Sequence, residues 1–381
     1  MRFEQLPVSE RATRINRGLE EATNRFLRTY DRVLGLAHLG GRKAPYDDEH
    51  YEFVGGASDT LRRKVYDKSL RLLWKAEKNA PYLSFKDASE VEKSLVASAE
   101  KSLSREESEV RAQLTLPEFK ARLDAEYTPR QKQAIVNILT PIGHGEAYAW
   151  LVSAELLGSV KSTGARAALT MQVLEEAKHF VVLRELIQAF DVPVPRQSAW
   201  EYLFLERVLK ADGLEKFFGM NILVEGIALS LFGVLGHLPG LEMLALFHLD
   251  EARHTGLPTN YFSEFPMGPW EKHNPRARLA RLNMLLPALA LIPHLEEDFA
   301  ELGIDALEFG GSTLRKVAAL VEKSGYPLPL PRPLLMGALN ELFNLYGRAT
   351  RTGHHHVDYL AAEVTRDPAQ LEVERELFGA A

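Results

Sequence analysis

The chain has 381 residues, 46% of them hydrophobic, with a formal net charge of −6 and no cysteine. That length holds one large domain or two ordinary ones, and the mild acidity gives no general reason to expect nucleic acid or an anionic membrane. The missing thiol excludes disulfides, thiolate zinc sites, cysteine-held iron–sulfur clusters and a cysteine nucleophile, so electrons reaching any redox site must come from outside the chain.

Helical periodicity dominates, and alternating β-branched runs are scarce. The N-terminal segment lacks the apolar stretch of a secretory signal, which makes a cytoplasmic protein the expectation. An amphipathic helix is expected over 8–36, capped near Ser9. Residues 38–56 read as loop, 58–79 as helix, and the highly charged 88–126 as exposed helix. The core is expected over 130–260, between N-terminal helices (1–129) and C-terminal helices (261–381), all packed as one domain. Its first helix is expected to begin or kink near Pro141–Gly145. Further helices are expected at about 163–190, 199–211, 214–236 and 240–256, then at 275–302, 311–324 and 333–350, followed by a charged tail. The weakly charged stretch 222–247 contains Glu225, His237, Pro239 and Glu242, and reads as a buried hairpin rather than a membrane span.

Within this core two E-x-x-H motifs occur, Glu176 with His179 in LEEAKHF and Glu251 with His254 in LDEARHT. Each is preceded in the chain by a lone glutamate, Glu146 and Glu225. Residues three apart share a helix face, so each motif can aim both side chains at one point. The spacing adds more. Glu146 lies 12 residues before Gly158 and Glu176 lies 12 after Gly164, so a turn over 158–164 places both about 18 Å from it at ~1.5 Å per residue. Glu225 lies 11 residues before Gly236 and Glu251 lies 11 after Gly240. Two hairpins with ligands at matching heights close a six-ligand cage. One Glu from each of two helices plus Glu-x-x-His from each of two others is the pattern that holds a pair of iron or manganese ions. The plainer reading, exposed helix acids, is opposed by the apolar settings GEAYAWLVSAELL and FFGMNILVEGIALSLFGVLG, where an unpaired carboxylate is strongly disfavoured. Four carboxylates also offset the four positive charges of a diferrous pair. Glu175 and Asp250, each just before a motif, are candidates to accept the free N–H of a ligand histidine; the other reading is a plain exposed acid.

Over 146–254 this constellation resembles the ferritin-like diiron-carboxylate superfamily. QVLEEAKH and DEARH resemble the bacterial multicomponent monooxygenase hydroxylases and the ribonucleotide reductase small subunits. The resemblance implies an all-α, ferritin-like four-helix bundle with additional N- and C-terminal helices. It also implies a dioxygen-activating centre of two Fe ions, with Mn an alternative at one or both positions, held by Glu146, Glu176, His179, Glu225, Glu251 and His254. Departures are informative. Leu183 stands where the reductase subunits carry a radical tyrosine, and Leu229, beside Ser230, where the monooxygenases carry a threonine. His248 lies three residues before Glu251, one position from a seventh ligand found in diiron N-oxygenases; it is either an extra ligand or a core histidine.

Residues one turn from the ligands are Trp150, Gln172, Val173, Leu183, Asn221, Ile222, Leu229 and Phe247, expected to line an apolar pocket or to be plain core. Gln172 and Asn221 are candidates to orient a substrate, and Trp150 to carry electrons or simply to pack. His354, His355 and His356 are consecutive and read as a surface feature, His50 as a loop residue among acids, and His144 as lying off the metal face. The expected activity is oxidation or oxygenation of a small apolar or aromatic molecule, with a reductase or ferredoxin-type electron donor and a homodimer as partners. The alternatives are a ferroxidase or iron-handling protein, or a diiron binding protein without turnover.

Overall fold

The computed structural model describes residues 6–37, 117–161, 163–328 and 330–378, and these are all-helical. The expectations for 38–56, for 58–79, for His50 and for 88–116 lie outside the described residues. In chain order the helices are α1 (Glu10–Ala37), α2 (Pro117–Glu126), α3 (Pro129–Leu156), α4 (Thr163–Ala189) and α5 (Ala199–Lys210). There follow α6 (Glu215–Leu235), α7 (Leu244–Glu264), α8 (Pro269–His273), α9 (Pro275–His294) and α10 (Glu296–Glu301). The chain ends with α11 (Ala306–Lys323), α12 (Arg332–Thr350) and α13 (Pro368–Phe378).

Local chemistry sets several helix starts. Thr128 and Gln131 form a reciprocal capping box ahead of α3, with Pro129 at the first helical position. The Asp305 carboxylate accepts the amides of Leu307 and Glu308 at the start of α11. Near α1, Ser9 Oγ accepts the Arg11 amide at 3.2 Å.

Two hairpins form the centre, α3 with α4 and α6 with α7. They run in opposite senses. The amide of Lys161, in the turn of the first, donates to Tyr261 Oη near the far end of α7 at 3.1 Å. At the opposite end, Tyr127 Oη donates to the Pro239 carbonyl in the turn of the second at 2.5 Å. That second turn needs Gly240, whose φ is +80°, and an added Cβ there would meet Leu123 of α2 at 2.6 Å. The outer helices pack on this centre: α5 and α10 on α3, α9 on α5, and α11 and α13 on α6.

Several boundaries differ from expectation. The helix expected to begin or kink near Pro141 starts at Pro129 and runs through Pro141. An interior proline costs one backbone hydrogen bond, which this long helix, buried on both sides of Pro141 from Ile138 to Ala149, absorbs. Helix α7 starts at Leu244 rather than 240 and continues through Pro258 to Glu264. The 275–302 helix is broken at Leu295, and the charged tail contains α13, which packs on α6 and α11. Helix α6 is long and apolar enough to cross a membrane, but 89% of its most apolar window is buried inside the protein, as befits a core helix.

One outer contact carries a pH dependence. Burial, and next to it the neighbouring acids Glu297 and Glu301, push the Asp298 carboxyl up to about 7, against the 2.8 Å hydrogen bond that Asn137 donates to it. An acid with a raised folded pKa adds stability that is complete below its ordinary value of 3.8 and is lost as the pH rises through about 7. Asp298→Asn keeps the acceptor for Asn137 and removes the charge. It should stabilise the protein at pH ~8 by roughly 1 kcal/mol, allowing for partial exposure, and change little at pH ~4. Thermal unfolding at the two pH values checks this.

Candidate metal centre

Helix α3 supplies Glu146, α4 supplies Glu176 and His179, α6 supplies Glu225, and α7 supplies Glu251 and His254. All six side chains are buried. They sort into two overlapping sets, each with ligand atoms within 4.8 Å of one another: Glu146, Glu176, His179 and Glu251, and Glu176, Glu225, Glu251 and His254. Glu176 and Glu251 belong to both. That is the arrangement of two cation positions with two shared carboxylates and one carboxylate and one imidazole private to each.

The donor atoms test the fit. Glu146 Oε2, both Glu176 oxygens, His179 Nδ1 and Glu251 Oε1 are buried without a hydrogen-bond partner. They nevertheless crowd together: His179 Nδ1 lies 3.1 Å from Glu251 Oε1 and 3.4 Å from Glu146 Oε2. His254 Nδ1 lies 3.1 Å from Glu176 Oε1 and 3.5 Å from Glu225 Oε1. Buried polar atoms normally find partners, so atoms that converge without pairing are disposed as ligands around a common centre.

Both imidazoles present Nδ1 inward and are held from behind. His179 Nε2 is 2.9 Å from Asp250 Oδ2, and His254 Nε2 is 2.9 Å from Glu175 Oε2. Each acid sits on the hairpin opposite its histidine, so both candidates act across the interface. An N–H bond to a carboxylate fixes the tautomer that leaves Nδ1 for a metal. Arg253 joins the two acids, donating to Glu175 Oε1 at 2.8 Å and to Asp250 Oδ1. Lys178 adds an ion pair to Asp250 at 3.0 Å.

The segment before Glu225 was not foreseen. Residues Phe218–Val224 of α6 are π-helical, and the Glu225 amide bonds back to the Met220 carbonyl, five residues earlier. Inserted wide turns of this kind are frequent at functional sites. Here the turn carries Asn221, whose amide donates to the His254 carbonyl at 3.0 Å and to Gln172 Oε1 at 2.9 Å. Gln172 in turn donates to Glu225 Oε1 at 3.0 Å. Gln172 and Asn221, expected as candidates to orient a substrate, are here bonded to each other, and Gln172 to Glu225.

An apolar cavity of about 100 Å³ reaches the site from the other side. Glu146 and Glu225 form part of its wall, with side chains from α3, α5, α6, α9, α10 and α11. None of the eight residues expected to line a pocket does so. Trp150 is 39% exposed, and Leu183, Ile222, Leu229 and Phe247 are core. One helical turn along a ligand's own helix does not tell which flank of the hairpins is left open; the outer helices decide that.

His248 is in neither ligand set, and its Nδ1 lies 3.1 Å from the Leu229 carbonyl, so the core reading holds. His144 is buried off the ligand sets, 3.0 Å from Glu201. His354 bonds to Asn344 and stacks on Tyr359, and His356 bonds to Glu341, away from the centre.

Electrostatics describe the metal-free cage. Burial, reinforced by neighbouring acids, keeps the carboxyls of Glu146 and Glu225 well above the usual range. Burial alone would depress both imidazoles, but Glu146 and Asp250 raise His179, and Glu176 and Glu251 raise His254, well above the ordinary histidine value. Burial also opposes ionisation of Glu176, yet His254 and His179 hold it well below the ordinary value. Protons thus stand in for positive metal charge.

Compared with known proteins, the chain matches no family model, no curated sequence and no solved structure.

Two outcomes follow from this geometry. Glu176→Ala or Glu251→Ala, each removing a shared ligand, should abolish binding of a metal pair. Asp250→Ala should weaken it by about 10–100-fold, and His355→Ala should leave it unchanged; metal analysis after anaerobic ferrous loading reads all four. Because bound metal must displace protons from groups with raised pKa values, affinity should climb with pH, measured by chelator competition between about pH 6 and pH 8.

Proposed function

We propose that the protein is a dioxygen-activating dinuclear metal oxidase or oxygenase, with α3, α4, α6 and α7 forming a ferritin-like four-helix bundle. The observation that carries this reading is one juxtaposition: six buried, converging ligand atoms whose private glutamates also form the wall of an apolar cavity. One ion would be held by Glu146 and His179, the other by Glu225 and His254, with Glu176 and Glu251 between them. Two irons, or one iron and one manganese, suit this carboxylate-rich set with one imidazole each. When bound, such a pair supplies dioxygen reduction and one-electron steps.

The chain's own residues do the rest. Asp250 and Glu175 orient the imidazoles, and the Asn221–Gln172 pair holds Glu225 in place. The four carboxylates of Glu146, Glu176, Glu225 and Glu251 would balance two divalent ions, leaving the buried centre without excess charge. The cavity's hydrocarbon lining would receive an apolar or aromatic molecule at the Glu146 and Glu225 side. Electrons come from a separate donor, since the chain has no thiol of its own.

Iron storage is the competing reading. It calls for a hydrophilic route by which many ferrous ions enter. The cavity at this centre is lined almost wholly by hydrocarbon, which favours an organic substrate. Ferrous titration in air separates the two. An oxidase or oxygenase saturates at about two irons per chain and consumes more oxygen only when a reductant is added. Continued uptake far beyond that ratio into a soluble mineral would overturn the proposal and favour storage.

A further inference from the structure

The cavity wall contains a third carboxylate that the ligand sets do not use. Glu201 is 3% exposed and lines the cavity together with Glu146 and Glu225. It stands in the first turn of α5, three residues after the N-cap Ser198, whose hydroxyl accepts the Glu201 amide at 3.2 Å. In that position a glutamate commonly turns back to the N-cap amide. Here its Oε2 lies 3.0 Å from His144 Nδ1 on α3 instead. Among the described residues this is the carboxylate's one hydrogen bond, which leaves its other oxygen to a ligand.

The rest of the wall is selective. The remaining lining side chains are hydrocarbon except for Thr313, and no lysine, arginine or histidine is among them. An anionic molecule would meet carboxylate and no cation. With two divalent ions bound, the four ligand glutamates are balanced and Glu201 lies outside that balance. A buried carboxylate in an apolar wall is stabilised by a cation at hydrogen-bond distance. On α11, Thr313 Oγ1 is buried with no hydrogen-bond partner, a second polar atom on the same wall that a ligand would satisfy.

We infer that the cavity selects an apolar amine, with the ammonium taken by Glu201 and the hydrocarbon filling the space toward Glu146 and Glu225. Calling this amine the substrate rests on the dinuclear oxidase reading; the binding preference itself does not. Gly145 offers a way to close the space. It lines the cavity beside Glu146, and a Cβ added there meets no atom within 4 Å, so a side chain introduced there would start in open space and extend into the void.

The test uses the full chain loaded with ferrous iron under anaerobic conditions, and titrates hexylamine, hexan-1-ol and hexanoate by calorimetry. The amine should bind about ten-fold or more tightly than the alcohol, and hexanoate most weakly. Glu201→Gln should bring the amine to the level of the alcohol and leave the alcohol unchanged. Gly145→Leu should abolish binding of both, as should Leu285→Trp from the opposite wall, with helical content checked by circular dichroism. Equal affinity for amine and alcohol, which would mean that His144 alone satisfies Glu201, overturns the inference. So does a preference that survives Glu201→Gln, amine binding that survives closure of the cavity, or binding of none of the three probes. Metal content of the same samples keeps the two readings apart. An amine preference in protein that takes up no metal sinks the dinuclear reading alone, and a full metal complement without the preference sinks the amine inference alone.

Discussion

Six ionisable side chains are buried at one level between two helical hairpins, and almost everything else in the structure serves to make that tolerable. Carboxylates and imidazoles taken out of water are costly unless each charge is answered. In the metal-free cage the answer is protons: the histidines and two of the four glutamates hold them more tightly than usual. Two divalent ions would answer the same charge, and would meet donor atoms that have no hydrogen-bond partner. The opposed sense of the hairpins, fixed at one end by Lys161 and Tyr261 and at the other by Tyr127 and Pro239, is what brings the ligands level.

Around this centre the two hairpins are tied by charge as well as by apolar packing. Asp250 of the second hairpin holds His179 of the first, and Glu175 of the first holds His254 of the second. Both acids end on the half-exposed guanidinium of Arg253. A displacement between the hairpins would therefore change the orientation of both imidazoles together. On the opposite flank Glu146 and Glu225 face a cavity lined mostly by hydrocarbon, whose one further carboxylate among the described residues is Glu201. The centre thus has a polar side and a mostly apolar side; under the proposed oxidase reading, electrons and protons would arrive on the first and an organic molecule on the second.

Much of this was legible in the sequence because it is governed by regular spacing. The 11- and 12-residue distances to flanking glycines placed four ligands at matching heights before any coordinates. Helix periodicity located α4, α5 and most of α6. What escaped depends on tertiary context. The π turn over Phe218–Val224 lies in a segment apolar on every face, so no pattern distinguishes a wide turn from an ordinary one. Pro141 suggested a boundary that burial of the helix on both sides of it overrides. The cavity is walled by α5, α9 and α11, and nothing in the ligand motifs says which flank those helices cover. Glu201 illustrates the same limit: Ser198-x-x-Glu201 reads as a helix cap, and only the approach of His144 on α3 reveals where its carboxylate goes.

The central claim is that the cage binds two metal ions, and diffraction tests it most directly. Crystals of protein loaded with iron under anaerobic conditions, measured on either side of the iron absorption edge, should show two anomalous peaks. One should lie among Glu146, Glu176, His179 and Glu251, the other among Glu176, Glu225, Glu251 and His254, with both Nδ1 atoms directed at them. A fully loaded sample with no anomalous peak between Glu176 and Glu251, or with its metal bound elsewhere on the protein, would contradict the account.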